Sequence, residues 1–163
     1  MKYDYHKTPL GAMLLSSPDG VNLSGVWFTR KQRDTPETHG WERDRKSRVL
    51  TQTKRELDAY FAGHLKRFSV PIVFVTGTDF QKAVWKALLR IRYGKIATYR
   101  DMAVAILRPM SARPVGGAVG SNPISIIVPC HRVIGTNGSL TGYGGGMDRK
   151  IHLLDLEGAE YCK

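Results

Sequence analysis

The chain has 163 residues, 42% hydrophobic and 24% charged, which suits one large packed domain or two small ones and excludes an intrinsically disordered chain. Twenty-five Lys and Arg against 14 Asp and Glu give a net charge of +11, a self-repulsion that points to a polyanionic partner, with nucleic acid set against membranes, acidic proteins or a merely basic surface. No run of 18 apolar residues occurs, the opening MKYDYHKTPLGAMLL lacks the layout of a signal peptide, and two cysteines make no disulfide framework, so a cytoplasmic protein that does not enter the membrane is expected.

In chain order, GAMLLSS reads as a strand, PDG as a tight turn and VNLSGVWF as a second strand, together a β-hairpin. Residues 29–48, TRKQRDTPETHGWERDRKSR, read as an exposed polar connection running into a helix. From about Trp41 to Ala62, the positions Val49, Leu50, Leu57, Tyr60 and Phe61 form one helical stripe, and Gly63 fits its stop. VPIVFV, a β-branched run, reads as a third strand. Residues 1–75 are thus expected to form a small α/β domain.

The composition then changes, and residues 76–163 are expected to form a second, mainly helical domain. Thr78 can cap a helix FQKAVWKALLRI whose face carries Phe80, Val84, Trp85, Leu88 and Leu89. Thr98 can cap YRDMAVAIL, and Ser111 can cap ARPVGGAVG with Pro114 in its first turn. Two short helices joined by a tight turn suggest a helix-turn-helix. The second carries Gly116, Gly117 and Gly120, each costing about 1 kcal/mol relative to Ala. Such a helix needs a face without bulk, either for tight packing inside the protein or for close approach of DNA. Arg113, at its start, reads by itself as a surface charge.

The chemistry concentrates in IIVPCHRVIG. A buried cysteine is ordinarily inert, a small hydrophobe. Cys130, however, stands beside His131, which can take or relay a proton, and Arg132, which adds positive charge; Pro129 stiffens the approach. In an extended strand the two side chains would point to opposite faces, so a bridging water or a turn is needed to bring them together. A third group should orient the imidazole, and Glu157 in LLDLEG is a candidate carboxylate. The patterns of papain-like proteases and caspases are missing. His6, His39, His64, His131 and His152 are scattered and show no zinc spacing with the two cysteines.

VPCHRVIG, followed by GYGGG and KIHLLDLEG, resembles the O6-alkylguanine-DNA alkyltransferases. The resemblance extends upstream through TDFQKAVWKALLRIRYGKIATYRDMA and SARPVGGAVGSNPISIIVPCHRVIG, and covers about residues 76–158; TPLGAMLL and GVWF resemble the family's first domain more weakly. The fold it implies is an α/β N-terminal subdomain, a small ribonuclease H-like sheet with helices, followed by a mainly α, winged-helix-like subdomain with a helix-turn-helix. The activity it implies is direct reversal of damage. Cys130 attacks the alkyl carbon of O6-alkylguanine, and of O4-alkylthymine, and keeps the alkyl group as a thioether, so that each molecule acts once without a cofactor. By the family pattern His131 takes the thiol proton through a water, Glu157 orients His131, and Asn122 holds the active-site turns together. Tyr99 crowds the target phosphate and donates to the leaving guanine.

The resemblance also implies that the second helix of the helix-turn-helix enters the minor groove of double-stranded DNA. Ala112, Gly116 and Gly117 then allow close approach, and Arg113 fills the gap left by a flipped base. Val133, Tyr143 and Gly144 line the base pocket. Further copies of the chain along the DNA are a candidate partner. Pro114 and Ser125 stand where family members carry other residues, with little effect expected, and the lean loop at Gly144 suits substituents larger than methyl. The cysteine zinc ligands of some animal members have no counterparts here, so no structural metal is expected. Two other readings remain: a sensor of the same fold that flags alkylated bases without repairing them, against which Cys130 argues, and a basic cysteine hydrolase.

Overall fold

The computed structural model describes residues 1–29 and 35–162. Contacts divide the chain into two compact units, Met1–Val75 and Thr76–Lys163. Part of the polar connection read over 29–48 falls at residues 30–34, outside the described residues.

The first unit is a mixed four-stranded sheet in the order β3-β2-β1-β4, made of β1 (Lys2–Thr8), β2 (Gly11–Ser17), β3 (Gly25–Phe28) and β4 (Glu42–Arg43). The expected hairpin is present as the antiparallel pair β2–β3, but its second strand is shorter than VNLSGVWF. Asp19 explains the loss. Its carboxylate accepts the backbone N–H groups of Val21 and Asn22 at 2.8 and 2.7 Å and holds them in the turn, away from the ladder.

Strand β1 was not expected, because Lys2, Asp4 and His6 hide its alternation. Asp4 meets Arg43 Nε at 2.9 Å and Lys54 Nζ, while His6 meets Asp58 at 2.7 Å, so the even positions face helix α1 (Arg48–Phe61). In register with them lie Leu15, Met13, Val26 and Phe28, all fully buried, which makes this face the core of the unit. Each such side chain contributes about 1.5–3 kcal/mol by burial.

Helix α1 begins seven residues later than the sequence suggested. Glu42 and Arg43 pair in parallel with Lys2 and Tyr3, so that stretch is strand. Val49, Leu50, Leu57 and Tyr60 form the buried stripe as expected, while Phe61 is half-buried. VPIVFV is not a strand. It makes one bridge, Leu23 to Ile72, because Pro71 has no N–H to give and the chain beyond Asp19 is committed to its turn. Buried Glu56 ties this stretch to α1 by accepting from the backbone of Ser69 and Val70 at 2.8 and 3.2 Å.

In the second unit the predicted helices form: α2 (Asp79–Leu88), α3 (Tyr99–Ala105) and α4 (Ala112–Gly120). Thr78 and Thr98 both cap as expected, each closing a reciprocal capping box with Gln81 or Asp101. Ser111 occupies the N-cap position of α4 but its side chain makes no cap hydrogen bond, because its ψ of 26° is not the extended one a capping hydroxyl requires. Leu89 does not join the apolar face of α2. It is the C-cap residue and is 46% exposed.

Trp85 donates from Nε1 to the Ala118 carbonyl at 2.8 Å and Gln81 donates to Ser121 Oγ at 3.0 Å, which pins α2 to the end of α4. Two short parallel strands, β5 (Ala97–Thr98) and β6 (Val133–Ile134), and helix α5 (Met147–Leu156) complete the unit. None of the described helices is long and apolar enough to cross a membrane.

Candidate active site

The cysteine and histidine do not end a strand. Residues 130–132 form one turn of 3-10 helix, so successive side chains no longer alternate, and the turn that the sequence left open against a bridging water is present. The segment leading into it is buried from Asn122 onward. It reverses direction at Ile126, whose φ of 72° is a costly conformation for a β-branched residue. Asn122 holds that reversal closed. Its Nδ2 donates to the carbonyls of Val128 and Ile124 at 2.8 and 3.4 Å, and its Oδ1 accepts from Ile124 N at 3.0 Å.

Cys130, His131 and Glu157 are all buried, and the last two are in contact. His131 is fully buried and its Nε2 lies 2.7 Å from Glu157 Oε1. Arg132, also buried, grips the same carboxylate with two bonds, Nε to Oε2 at 2.8 Å and Nη2 to Oε1 at 2.9 Å. Its third contact is to the Ile91 carbonyl at 2.6 Å. Gly94 N donates to Glu157 Oε2 at 3.3 Å. Only glycine serves there, with φ at 74° and a Cβ that would stand 2.9 Å from the Glu157 carbonyl oxygen.

These contacts decide the protonation states. Burial alone would raise the Glu157 carboxyl, but the hydrogen bonds from His131 and Arg132 override it and hold the group well below the usual carboxylate range. A carboxylate only accepts, so His131 carries its proton on Nε2. Nδ1 is then a buried lone pair, without a hydrogen-bond partner among the described residues. Burial lowers the imidazole below its ordinary value against the pull of Glu157. Burial also pushes the Cys130 thiol up, against Asn122 and the positive charge of Lys150. At rest the pair is a neutral thiol beside a neutral base.

Two further residues were not singled out as parts of the site by sequence reasoning. Arg132 was seen only as a nearby charge; it is the clamp on Glu157. Lys150, fully buried in α5, donates from Nζ to the carbonyls of Val133, Thr141 and Gly142 at 2.5, 3.1 and 3.4 Å, one for each of its protons. Burial lowers its pKa to about 8, with Cys130 acting in the opposite sense. The signal was in the sequence: Lys150 shares a helical stripe with Leu153 and Leu154, where an exposed lysine has no place.

Of the expected pocket residues, Val133 offers a carbonyl already engaged by Lys150. Tyr143 has a buried hydroxyl with no partner among the described residues, and burial, with Cys130 adding to it, raises its pKa well above the ordinary value. Gly144 is half-buried. Tyr99 donates to the Thr141 carbonyl at 3.4 Å, so Tyr99 and Lys150 hold the same loop oxygen.

Arg113 is exposed on α4, outside the Cys130 cluster, and Ala112 beside it is half-buried. A Cβ on Gly117 or Gly120 would meet nothing within 4 Å, and one on Gly116 would rest 3.7 Å from the Tyr99 ring. Tight packing inside the protein is therefore not what keeps these positions bare. Among the described residues no group of three or more His, Cys, Asp or Glu could hold a metal ion. Cys130 and Cys162 are both free.

Residues 79–159 match the family described as 6-O-methylguanine DNA methyltransferase, DNA binding domain, and residues 1–74 the one described as its ribonuclease-like domain. The methylated-DNA–protein-cysteine methyltransferase of Haemophilus influenzae is 41% identical over 160 residues, covering 98% of this chain and 87% of that one. The protein of the same name from Methanosarcina acetivorans is 44% identical over 159 residues, with 98% and 99% covered. The crystal structure of Mycobacterium tuberculosis OGT in complex with DNA superposes with a TM-score of 0.88 at 45% identity, covering 97% of this chain and 93% of that one. With a buried Cys-His-Glu cluster and a helix-turn-helix in the matched region, the chain belongs to the methylated-DNA–protein-cysteine methyltransferases, the DNA-binding repair enzymes that reverse O6-alkylguanine damage through a cysteine.

Proposed function

We propose that Cys130 is the acceptor and that the cluster around it works once per molecule on O6-alkylguanine flipped out of double-stranded DNA. The observation that carries this reading is the free lone pair on His131 Nδ1, aimed by the Nε2 bond to Glu157. A thiol that is neutral at rest must lose its proton as it reacts, and a buried base with an unused lone pair can take it, directly or through a water.

The balance of the step is simple. Cys130 Sγ forms a bond to the alkyl carbon, the bond from that carbon to O6 breaks, and its electron pair leaves on guanine. The thiol proton goes to His131, and guanine is neutralised by a proton from a donor such as Tyr99. Arg132 keeps Glu157 anionic, which stabilises the imidazolium that forms. The thioether left on Cys130 has no ready leaving group at neutral pH, so turnover stops.

Asn122 positions the reactive turn. Tyr143 and Gly144 wall the base pocket beside Val133, and the bare Gly116–Gly117 face of α4 lies in the minor groove with Arg113 in the gap of the flipped base. O4-alkylthymine is a second substrate, the setting is the cytoplasm, and no cofactor takes part. Neighbouring copies along DNA are a further partner.

Intact-mass analysis after incubation with an O6-methylguanine oligonucleotide tests the assignment. The wild type should gain one methyl group, mapped to Cys130, and Cys130→Ala should gain none while still binding the DNA. Binding without mass gain by the wild type would leave a damage sensor. Neither binding nor mass gain would leave the cysteine hydrolase.

A further inference from the structure

The turn between α3 and α4 exposes large apolar side chains. Leu107 is 88% exposed and Met110 95%. Leu107 also has a φ of 60°, one of two non-glycine residues with positive φ among the described residues, the other being Ile126 at the active-site turn. It is the left-handed residue that closes α3. Its N–H reaches the Val104 carbonyl at 2.9 Å, and Arg108 N reaches Ala103 at 2.8 Å. Glycine or asparagine ordinarily fills that place, because a Cβ is strained there. The chain thus holds a leucine where it strains the backbone and gains no burial.

The surroundings indicate what the turn meets. Arg108 within the turn and Arg113 just after it are exposed, and Met110 lies three residues before Arg113 on the way into α4. The exposed positions of α4 are Arg113, Pro114, Gly117 and Gly120, with a single long side chain among them. Apolar wedges set among arginines are the means by which proteins enter the minor groove.

We propose that the Leu107–Met110 turn is part of the DNA-binding surface, an apolar wedge that packs on sugars and base edges of the minor groove beside α4. The proposal rests on the reading that α4 faces the DNA.

Leu107→Gly separates strain from function, because the two move in opposite directions. Relief of the left-handed leucine should raise Tm by about 3 °C. The ratio of the repair rate on duplex O6-methylguanine to that on the free O6-methylguanine base should fall at least threefold. The salt dependence of DNA binding should stay the same, since no phosphate contact is lost. Met110→Ser should lower the same ratio without raising Tm.

A raised Tm with an unchanged ratio for both variants would overturn the proposal. So would a wild type that sediments as a dimer without DNA and a Leu107→Gly variant that sediments as a monomer, since the turn would then serve a second copy. Arg113→Ala keeps the two readings apart. If it lowers the ratio and Leu107→Gly does not, only the wedge is lost. If neither lowers it, the placement of α4 fails as well.

Discussion

Asp4 in the first unit and Glu157 in the second are both buried carboxylates, 2% and 6% exposed, and each is met by two nitrogen-bearing side chains. Burial would raise both, and their partners hold both below the ordinary value. The difference lies in what the partners have left to offer. Lys54 and Arg43 have only donors to give, and their pairing with Asp4 ties β1 to α1 and β4. One partner of Glu157 is an imidazole, which can still accept a proton on its other nitrogen. The same device is a structural tie in one unit and, by the function proposed above, a proton acceptor in the other.

Removing each carboxylate tests that contrast. Glu157→Gln should slow alkyl transfer by about 100-fold or more, because the tautomer of His131 is no longer fixed and the imidazolium is unsupported. It should also cost about 3 kcal/mol of stability through the unmatched Arg132. Asp4→Asn should cost a similar stability, yet leave transfer per folded molecule unchanged. Single-turnover rates alongside urea melts measure both. An equal slowing by the two variants would erase the distinction.

Lys150→Met sharpens it further, since that ammonium spends all its donors on carbonyls. We expect transfer to slow by about tenfold as the 141–143 loop loosens, with each unmade bond costing about 1 kcal/mol. Single-turnover rates on duplex and free base check it, and the free base should be affected too, because the proposed base pocket includes that loop.

Acid should act on both carboxylates in the same sense. With folded pKa values below the unfolded ones, the unfolded chain binds more protons, so their stabilisation is complete above about pH 5 and is lost as pH falls through the folded values. Chemical melts from pH 7 to pH 3 should show the decline, and it should be shallower in Glu157→Gln. The smallest effect is expected of Cys162→Ser. Cys162 is exposed and makes no part of the cluster, so repair should stay within about twofold of wild type.

Legibility in the sequence followed the range of the interaction. The helices of the second unit could be read because Thr78 and Thr98 cap them locally and their apolar stripes repeat every turn. Cys130, His131 and Glu157 could be named from short motifs. Strand β1 could not, because Lys2, Asp4 and His6 look like surface residues until α1 and β4 supply their partners. For the same reason Glu42 and Arg43 were read as helix: their pairing partner lies 40 residues away.

The sequence by itself determined a candidate nucleophile with a candidate base beside it, the helix-turn-helix and its bare glycines, since each rests on residue type and short spacing. Only the tertiary structure decided which nitrogen of His131 faces Glu157. That follows from a carboxylate 26 residues along the chain, an arginine that keeps it charged and a glycine that lets it approach. A proton's position depends on the balance of burial and charge around it, and that balance exists only once distant segments have packed together.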